Sequence, residues 1–71
     1  MIHEEMKRPI TPREMEVLSL ISHGKTAKEI AITLGIARST VESYSQNLLV
    51  KLNAKNAVDL ALKAERNGLL K

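Results

Sequence analysis

Serines, carboxylates and two histidines are the side chains of this 71-residue chain that could do catalytic or metal chemistry. Nucleophilic catalysis needs a nucleophile, a base and an orienting group at one place, and no motif in the sequence brings such a set together. His3 and His23 are too few and too scattered for a metal site, and the chain has no cysteine. A glycine-rich phosphate-binding loop is also absent from the sequence. We therefore expect no catalytic residue, no metal, no cofactor and no enzymatic activity.

The charge balance and the scarcity of aromatic residues narrow the possible partners. Lys and Arg number 11 against 8 Asp and Glu, which gives a net charge of +3. A small basic domain is compatible with nucleic-acid binding, although a basic surface on an unrelated soluble domain fits equally well. Tyr44 is the only aromatic residue, whereas RNA-recognition sheets and single-strand-binding barrels stack bases on several aromatic rings. If the partner is a nucleic acid, duplex DNA is therefore favoured.

The sequence carries no sign of secretion or of a membrane span. Glu4 and Glu5 lie where a signal peptide would be apolar. No apolar run approaches the roughly 18 residues that cross a bilayer. We expect one small cytoplasmic domain with no membrane partner.

Local start and stop signals predict four short helices. Thr11 and Thr26 each precede a glutamate by three residues, which is the capping box that opens a helix. Asn56 is suited to cap a fourth helix, and the third is predicted to run from about Ser39 to Leu52. The stop signals, all residue types that tolerate a left-handed conformation, are Gly24, Gly35, Asn53 and Gly68.

Apolar residues recur at helical spacing, and no segment alternates as a strand would. The stripe of the third helix consists of Val41, Tyr44, Leu48 and Leu52. The predicted fold class is all-α, a four-helix bundle that contains a helix-turn-helix. We expect residues 1–10 to form a flexible N-terminal lead-in and residues 11–71 to form the domain.

The segment from Ala27 to Tyr44 is the most informative part of the chain. A short helix, a turn at Gly35 and a longer helix with a polar outer face are typical of the helix-turn-helix, whose second helix enters the major groove of DNA. The residues predicted to hold the two helices at a fixed angle are Ile30, Ala31, Leu34, Ile36, Val41 and Tyr44. A plain helical hairpin within a bundle is the alternative that the spacing leaves open.

These motifs resemble those of one protein family over roughly residues 10 to 70. The segments that carry the resemblance are Thr11-Pro12-Arg13-Glu14, Glu16-Val17-Leu18, Gly24-Lys25-Thr26, Lys28-Glu29-Ile30-Ala31, Leu34-Gly35-Ile36, Thr40-Val41, Asn47-Leu48-Leu49, Lys51-Leu52 and Gly68-Leu69-Leu70. Their order and spacing are similar to those of the LuxR/GerE-type helix-turn-helix domain of bacterial transcriptional regulators. The resemblance implies a sequence-specific, duplex-DNA-binding regulator that acts as a dimer on inverted repeats. Most members attach this domain to a receiver or ligand-binding domain, so we expect either a standalone regulator or an excised C-terminal domain.

The resemblance also implies roles for individual residues. Lys28, at the start of the second helix, matches a contact to a DNA phosphate, and so does Thr40 in the first turn of the third helix. The positions that face base edges in the family are occupied here by Glu42, Ser43 and Gln46. The chemistry of Gln46 supports a base-reading role independently of the resemblance, because glutamine can pair with N6 and N7 of adenine.

Length and charge add further candidates to these contacts. Arg38, Lys51 and Lys55 can each reach a phosphate, although a solvated surface charge is the alternative for each lysine. Glu42 could accept a hydrogen bond from N4 of cytosine.

Several positions depart from the family pattern. They are Ala37 in place of a capping serine, Glu42 in place of Lys or Arg, Tyr44 in place of His, Val50 in place of a basic residue and Ala57 in place of Arg. Without a serine at 37, we expect Ser39 and Glu42 to form a shifted capping box. The carboxylate of Glu42 is also expected to weaken non-specific DNA binding by repelling phosphates. Without an arginine at 57, Glu14 and Glu29 lose one expected partner.

The fourth helix carries a predicted dimerisation face that consists of Val58, Ala61, Leu62 and Glu65. A core this small would cover these side chains only partly, and one module makes few DNA contacts, so we expect a weak homodimer. The alternative is a small protein-interaction module that forms a heteromer with another, larger LuxR-type regulator and modulates it. Such a module would bind DNA weakly or not at all, and the weakly basic third helix favours it.

Overall fold

The computed structural model describes residues 10–70, and within them the chain forms four α-helices and no strand. The helices are α1 (Pro12–Ser22), α2 (Ala27–Leu34), α3 (Arg38–Leu52) and α4 (Ala57–Arg66). The predicted all-α fold is therefore confirmed. Residues 1–9, most of the predicted lead-in, lie outside the described residues, whereas Ile10 packs against the core. None of the four helices is both long and apolar enough to cross a membrane.

Three of the four helices begin directly after the residues whose side chains were predicted to cap them. Thr11 Oγ1 accepts the backbone N–H of Glu14 at 3.2 Å, and the Glu14 carboxylate accepts the backbone N–H of Thr11 at 2.9 Å. Thr26 and Glu29 make the same reciprocal pair at 3.2 and 2.8 Å. Asn56 caps α4 through Oδ1, which accepts the backbone N–H of Asp59 at 2.9 Å. These short-range bonds satisfy N–H groups that a helix start otherwise leaves unpaired.

The start of α3 corrects the prediction. The residue before the helix is Ala37, which has an extended backbone (φ −71°, ψ 148°). Its side chain makes no capping hydrogen bond. Ser39 and Glu42 both lie inside the helix, so the predicted capping box between them is wrong. The backbone carbonyl of Ala37 accepts the N–H groups of Thr40 and Val41 at 3.0 and 3.2 Å, and Val41 is fully buried. α3 therefore begins at Arg38 without a side-chain cap, and its first turn is held by these backbone hydrogen bonds and by the burial of Val41.

All four helices are followed by a residue in the left-handed conformation. These residues are Gly24 (φ 81°), Gly35 (φ 69°), Asn53 (φ 55°) and Gly68 (φ 71°), in agreement with the predicted stop signals. After α2, the backbone N–H of Ile36 donates to the carbonyl of Ala31 at 3.1 Å and closes the helix end. A Cβ at Gly35 would meet nothing within 4 Å, so it is the backbone conformation and not a lack of space that favours glycine there.

One hydrophobic core joins the four helices. Its fully buried apolar residues are Val17, Leu18, Ile30, Val41, Leu48, Leu60 and Ala64. α3 packs against all three other helices, whereas α2 and α4 do not contact each other. Leu69 folds back onto the core after α4. Because α3 is held by three neighbours, the orientation of its remaining, solvent-facing side is set by the whole bundle.

Candidate nucleic-acid interface

The connection between α2 and α3 has the geometry of a helix-turn-helix. Only residues 35–37 separate the two helices. Ile30 on α2 and Val41 on α3 are fully buried, and Tyr44 packs against the same core with part of its surface exposed. Since buried side chains hold both helices, the turn at Gly35 presents α3 as a rigid element and not as one arm of a mobile hairpin.

The outer side of α3 is a continuous polar surface with one apolar residue. The exposed side chains of α3 are Arg38, Ser39, Thr40, Glu42, Ser43, Gln46, Asn47 and Val50. Ser39, Ser43, Gln46 and Val50 follow one another at steps of four, three and four, so they share the face opposite the buried Val41 and Leu48. The structure thus brings the three predicted base-reading residues together on the exposed side of α3.

Three of the predicted phosphate-binding cations are exposed around α3. Lys28 lies in the first turn of α2, Arg38 in the first turn of α3 and Lys55 in the link between α3 and α4. The link is held by a hydrogen bond from the backbone N–H of Lys55 to the Asp59 carboxylate at 2.9 Å. The side chain of Lys55 therefore extends from a fixed backbone position. Thr40 is exposed as well.

Lys51 has a structural partner that was not predicted. Its ammonium group donates to Glu14 Oε1 at 2.7 Å, and the two side chains are only 13% and 5% exposed. Burial acts to raise the pKa of Glu14, but the hydrogen bonds from Lys51 and Thr11 outweigh it, so the pKa lies below the ordinary value. Lys51 therefore supplies the cation that Ala57 does not. It is the least exposed of the five predicted phosphate contacts, and that role stays a prediction.

Glu42 faces solvent and pairs with Arg38. The two residues are four apart on α3, with 3.4 Å between Arg38 Nε and Glu42 Oε2, and their side chains are 66% and 59% exposed. The carboxylate is thus offset by a cation within the same helix. Sequence reasoning missed this pair, although the i,i+4 spacing of opposite charges is a recognisable signal for it.

The predicted dimerisation face on α4 is open to solvent. Val58 and Leu62 are 72% and 49% exposed, Glu65 is exposed and Ala61 is half-buried. These side chains line a groove of about 790 Å³ whose other walls come from the end of α1, the α1–α2 turn, α2, α3 and Leu70. Lys63 points away from this face, because it binds the Asp59 carboxylate at 3.5 Å and the carbonyl of Asn53.

Comparison with known families gives one clear match to this arrangement. Residues 8–64 match the family described as bacterial regulatory proteins, luxR family. The matched segment includes the whole helix-turn-helix and most of α4.

Similar curated proteins are transcriptional regulators. The uncharacterized transcriptional regulatory protein YvfU of Bacillus subtilis is 42% identical over 62 residues, which cover 87% of this chain and 31% of YvfU. The transcriptional regulatory protein DesR of the same organism is 41% identical over 63 residues, 89% of this chain and 32% of DesR. The quorum sensing-dependent transcriptional regulator VjbR of Brucella abortus is 43% identical over 61 residues, 86% of this chain and 24% of VjbR. The chain spans about a third or less of the length of these three relatives.

Proposed function

This chain belongs to the luxR family of bacterial regulatory proteins, and we propose that it regulates transcription by binding specific duplex-DNA sequences through α3. The observation that carries the proposal is the outer face of α3. Exposed hydrogen-bonding groups stand there on a helix whose opposite side, at Val41 and Leu48, is completely buried. A rigid polar helix of this kind fits the major groove, which is wide enough for an α-helix. Members of this family are regulators rather than enzymes, in agreement with the expectation of no enzymatic activity.

In the proposed complex, phosphate contacts set the register and base contacts set the sequence. Lys28, Thr40 and Lys55 hold the DNA backbone, and their exposure on three separate segments supports this assignment. Ser43 and Gln46 face the base edges, with Gln46 suited to adenine. The protein would act in the bacterial cytoplasm, where the chromosome lies.

We also propose that two copies bind an inverted repeat through the α4 face. Val58 and Leu62 expose apolar surface beside the groove, and a second copy could cover it. Burying apolar surface contributes about 25 cal/mol per Å², so a patch of a few hundred Å² stabilises only a weak dimer after association costs. DNA with two half-sites would then strengthen the assembly, because binding of the second copy becomes intramolecular.

The same exposed α4 face supports a second candidate function. A larger LuxR-type regulator could take the place of the second copy, and this chain would then modulate it as a heteromer. The balance of Arg38 by Glu42 on the proposed DNA-facing helix is the observation that favours this alternative. In that case the chain alone would bind DNA weakly or not at all.

Selection from random-sequence duplexes, followed by titration at two salt concentrations, tests the proposal. We expect an enriched sequence, and a logarithmic salt slope of about −2 per protomer if Lys28 and Lys55 each neutralise one phosphate. Lys28→Ala should reduce the magnitude of this slope by about one and weaken binding to all sequences alike. Enrichment of no sequence, together with tight binding to a larger LuxR-type regulator, would favour the interaction module instead.

A further inference from the structure

Arg38 lies at a position where a positive charge does not stabilise its own helix. It is the first residue of α3, whose first turn contains no acidic side chain and whose N-cap makes no side-chain hydrogen bond. The N-terminal end of a helix carries partial positive charge, so a cation there is disfavoured. By contrast, Arg13 in the first turn of α1 is followed by the capping Glu14. Helix stability therefore does not account for Arg38.

The contact with Glu42 determines which part of the Arg38 guanidinium is available to a ligand. Glu42 Oε2 lies 3.4 Å from Nε, one turn further along the exposed side of the helix. A guanidinium has five N–H donors in one plane, of which Nε carries one. With its Nε side facing the carboxylate, the outer edge formed by the two Nη groups remains open, and 66% of the side chain is exposed. The two Nη groups are thus the part of the guanidinium that is left to donate to a ligand.

The major-groove edge of guanine matches this pair of donors. Guanine presents two acceptors there, O6 and N7, and a bidentate arginine is the commonest specific contact to it. In a helix-turn-helix, it is the N-terminal residues of the second helix that reach the base edges. Resting on the proposed DNA-binding function, we propose that Arg38 reads a guanine and that Glu42 is the residue that positions Arg38. This assignment replaces the phosphate contact expected for Arg38 from its length and charge.

The pairing also gives Glu42 a role compatible with nearby phosphates. A lone carboxylate on the DNA-facing helix would be repelled, whereas the Arg38–Glu42 pair has no net charge. An exposed ion pair contributes little to the stability of the fold. Arg13 and Glu16 form a comparable exposed pair on α1, at 2.8 Å and with 42% and 55% exposure. That pair lies outside α3 and provides a matched control.

The test uses the full 71-residue chain and the duplex that random selection enriches. Each guanine of the duplex is replaced in turn by 7-deazaguanine, which lacks the N7 acceptor but keeps base pairing. For the unaltered chain, we expect one guanine per half-site at which this change weakens binding about fivefold or more. We call this loss of affinity the 7-deazaguanine penalty. Arg38→Ala should remove the penalty, Glu42→Gln should reduce it, and Glu16→Gln should leave it unchanged. Arg38→Lys should reduce it, because an ammonium group can still donate to N7 but does not present the planar pair of donors of a guanidinium.

Three results would overturn the inference. Arg38→Ala could weaken binding to all duplexes equally and keep the 7-deazaguanine penalty, which would make Arg38 a phosphate contact. Glu42→Gln could instead relax the preference at a cytosine, which would make Glu42 itself the base-reading residue. Glu42→Gln could also leave the 7-deazaguanine penalty unchanged, which would mean that Glu42 does not position Arg38. The proposed function survives all three results, whereas failure of the unaltered chain to bind any duplex would remove both.

Discussion

Among individual residues, Glu14 joins two parts of the chain that are distant in sequence. Its Oε1 accepts from the backbone N–H of Thr11 at 2.9 Å and from Lys51 Nζ at 2.7 Å, 37 residues away. The residue is 3% exposed, and no buried side-chain polar atom lacks a hydrogen-bond partner in residues 10–70. A buried carboxylate is tolerable only when it is paired in this way. Glu14 therefore caps α1 and also joins it to α3.

Replacing Lys51 should destabilise the fold because it leaves the Glu14 carboxylate without its cation. We expect Lys51→Met, which keeps most of the apolar stem, to lower the free energy of unfolding by about 3 kcal/mol in urea titrations at pH 7. Adding Glu14→Gln should recover part of this loss, since glutamine can still close the capping box and carries no charge. Glu16→Gln on the exposed α1 pair should change stability by less than about 1 kcal/mol. A similar small effect of Lys51→Met would contradict the structural role of the pair.

The same carboxylate should make the fold sensitive to acid. The pKa of Glu14 is lowered on folding, so its contribution to stability is complete above its ordinary value of 4.5 and is lost as the pH falls through its lower folded value. Hydrogen bonds from backbone N–H groups lower the pKa of Glu29 and of Asp59 in the same direction. We expect the free energy of unfolding to be nearly flat from neutral pH to about pH 5 and to decline below it.

Urea titrations between pH 7 and pH 3 measure this decline, with Glu14→Gln as the comparison. The variant should have a shallower decline, because the group that must take up a proton has been removed. An identical decline in both proteins would mean that Glu14 does not contribute to the acid sensitivity.

Among the helices, α3 is the one that starts without a side-chain cap. Ala37 already has the extended backbone that a capping residue requires. Ala37→Ser should therefore stabilise the protein by about 1 kcal/mol, since serine can accept one of the unpaired N–H groups of the first turn. Ala57→Ser is the matched control, because Ala57 is exposed and follows Asn56, which already caps α4.

Thermal unfolding followed by circular dichroism compares the two variants. We expect Ala37→Ser to have a higher melting temperature than the unaltered chain. The melting temperature of Ala57→Ser should be close to that of the unaltered chain. If Ala37→Ser has no effect or lowers the melting temperature, the start of α3 is not limited by its missing cap.

At the scale of the whole molecule, the four-helix core leaves the α4 face uncovered, and this face should govern self-association. We expect sedimentation equilibrium to show a monomer that shifts towards a dimer as the concentration approaches the millimolar range. Leu62→Asp should prevent the shift without unfolding the chain, because Leu62 is half exposed. Ile32→Asp on α2 is the control, since Ile32 is 72% exposed and lies outside the α4 face. A monomer at every concentration, with and without DNA, would reject the dimer.

What the sequence alone determines is the identity and most of the bounds of the helices. The caps at Thr11, Thr26 and Asn56 and the left-handed stops at Gly35 and Asn53 depend on contacts within a few residues. Such contacts form between residues that are close in sequence, so they can be predicted from the types and spacing of those residues. The exposure of Glu42, Ser43 and Gln46 also follows from the period of a helix whose other side is apolar.

Only the tertiary structure decides which distant groups meet. Lys51 was predicted to bind a phosphate, yet the packing of α3 across α1 brings its ammonium group to Glu14. The start of α3 at Arg38 is likewise not marked by a capping side chain, and it leaves Ser39 inside the helix without a capping role. The physical reason is that these outcomes depend on how whole helices pack against one another. That packing minimises the exposed apolar surface of the entire chain, and no local segment encodes it.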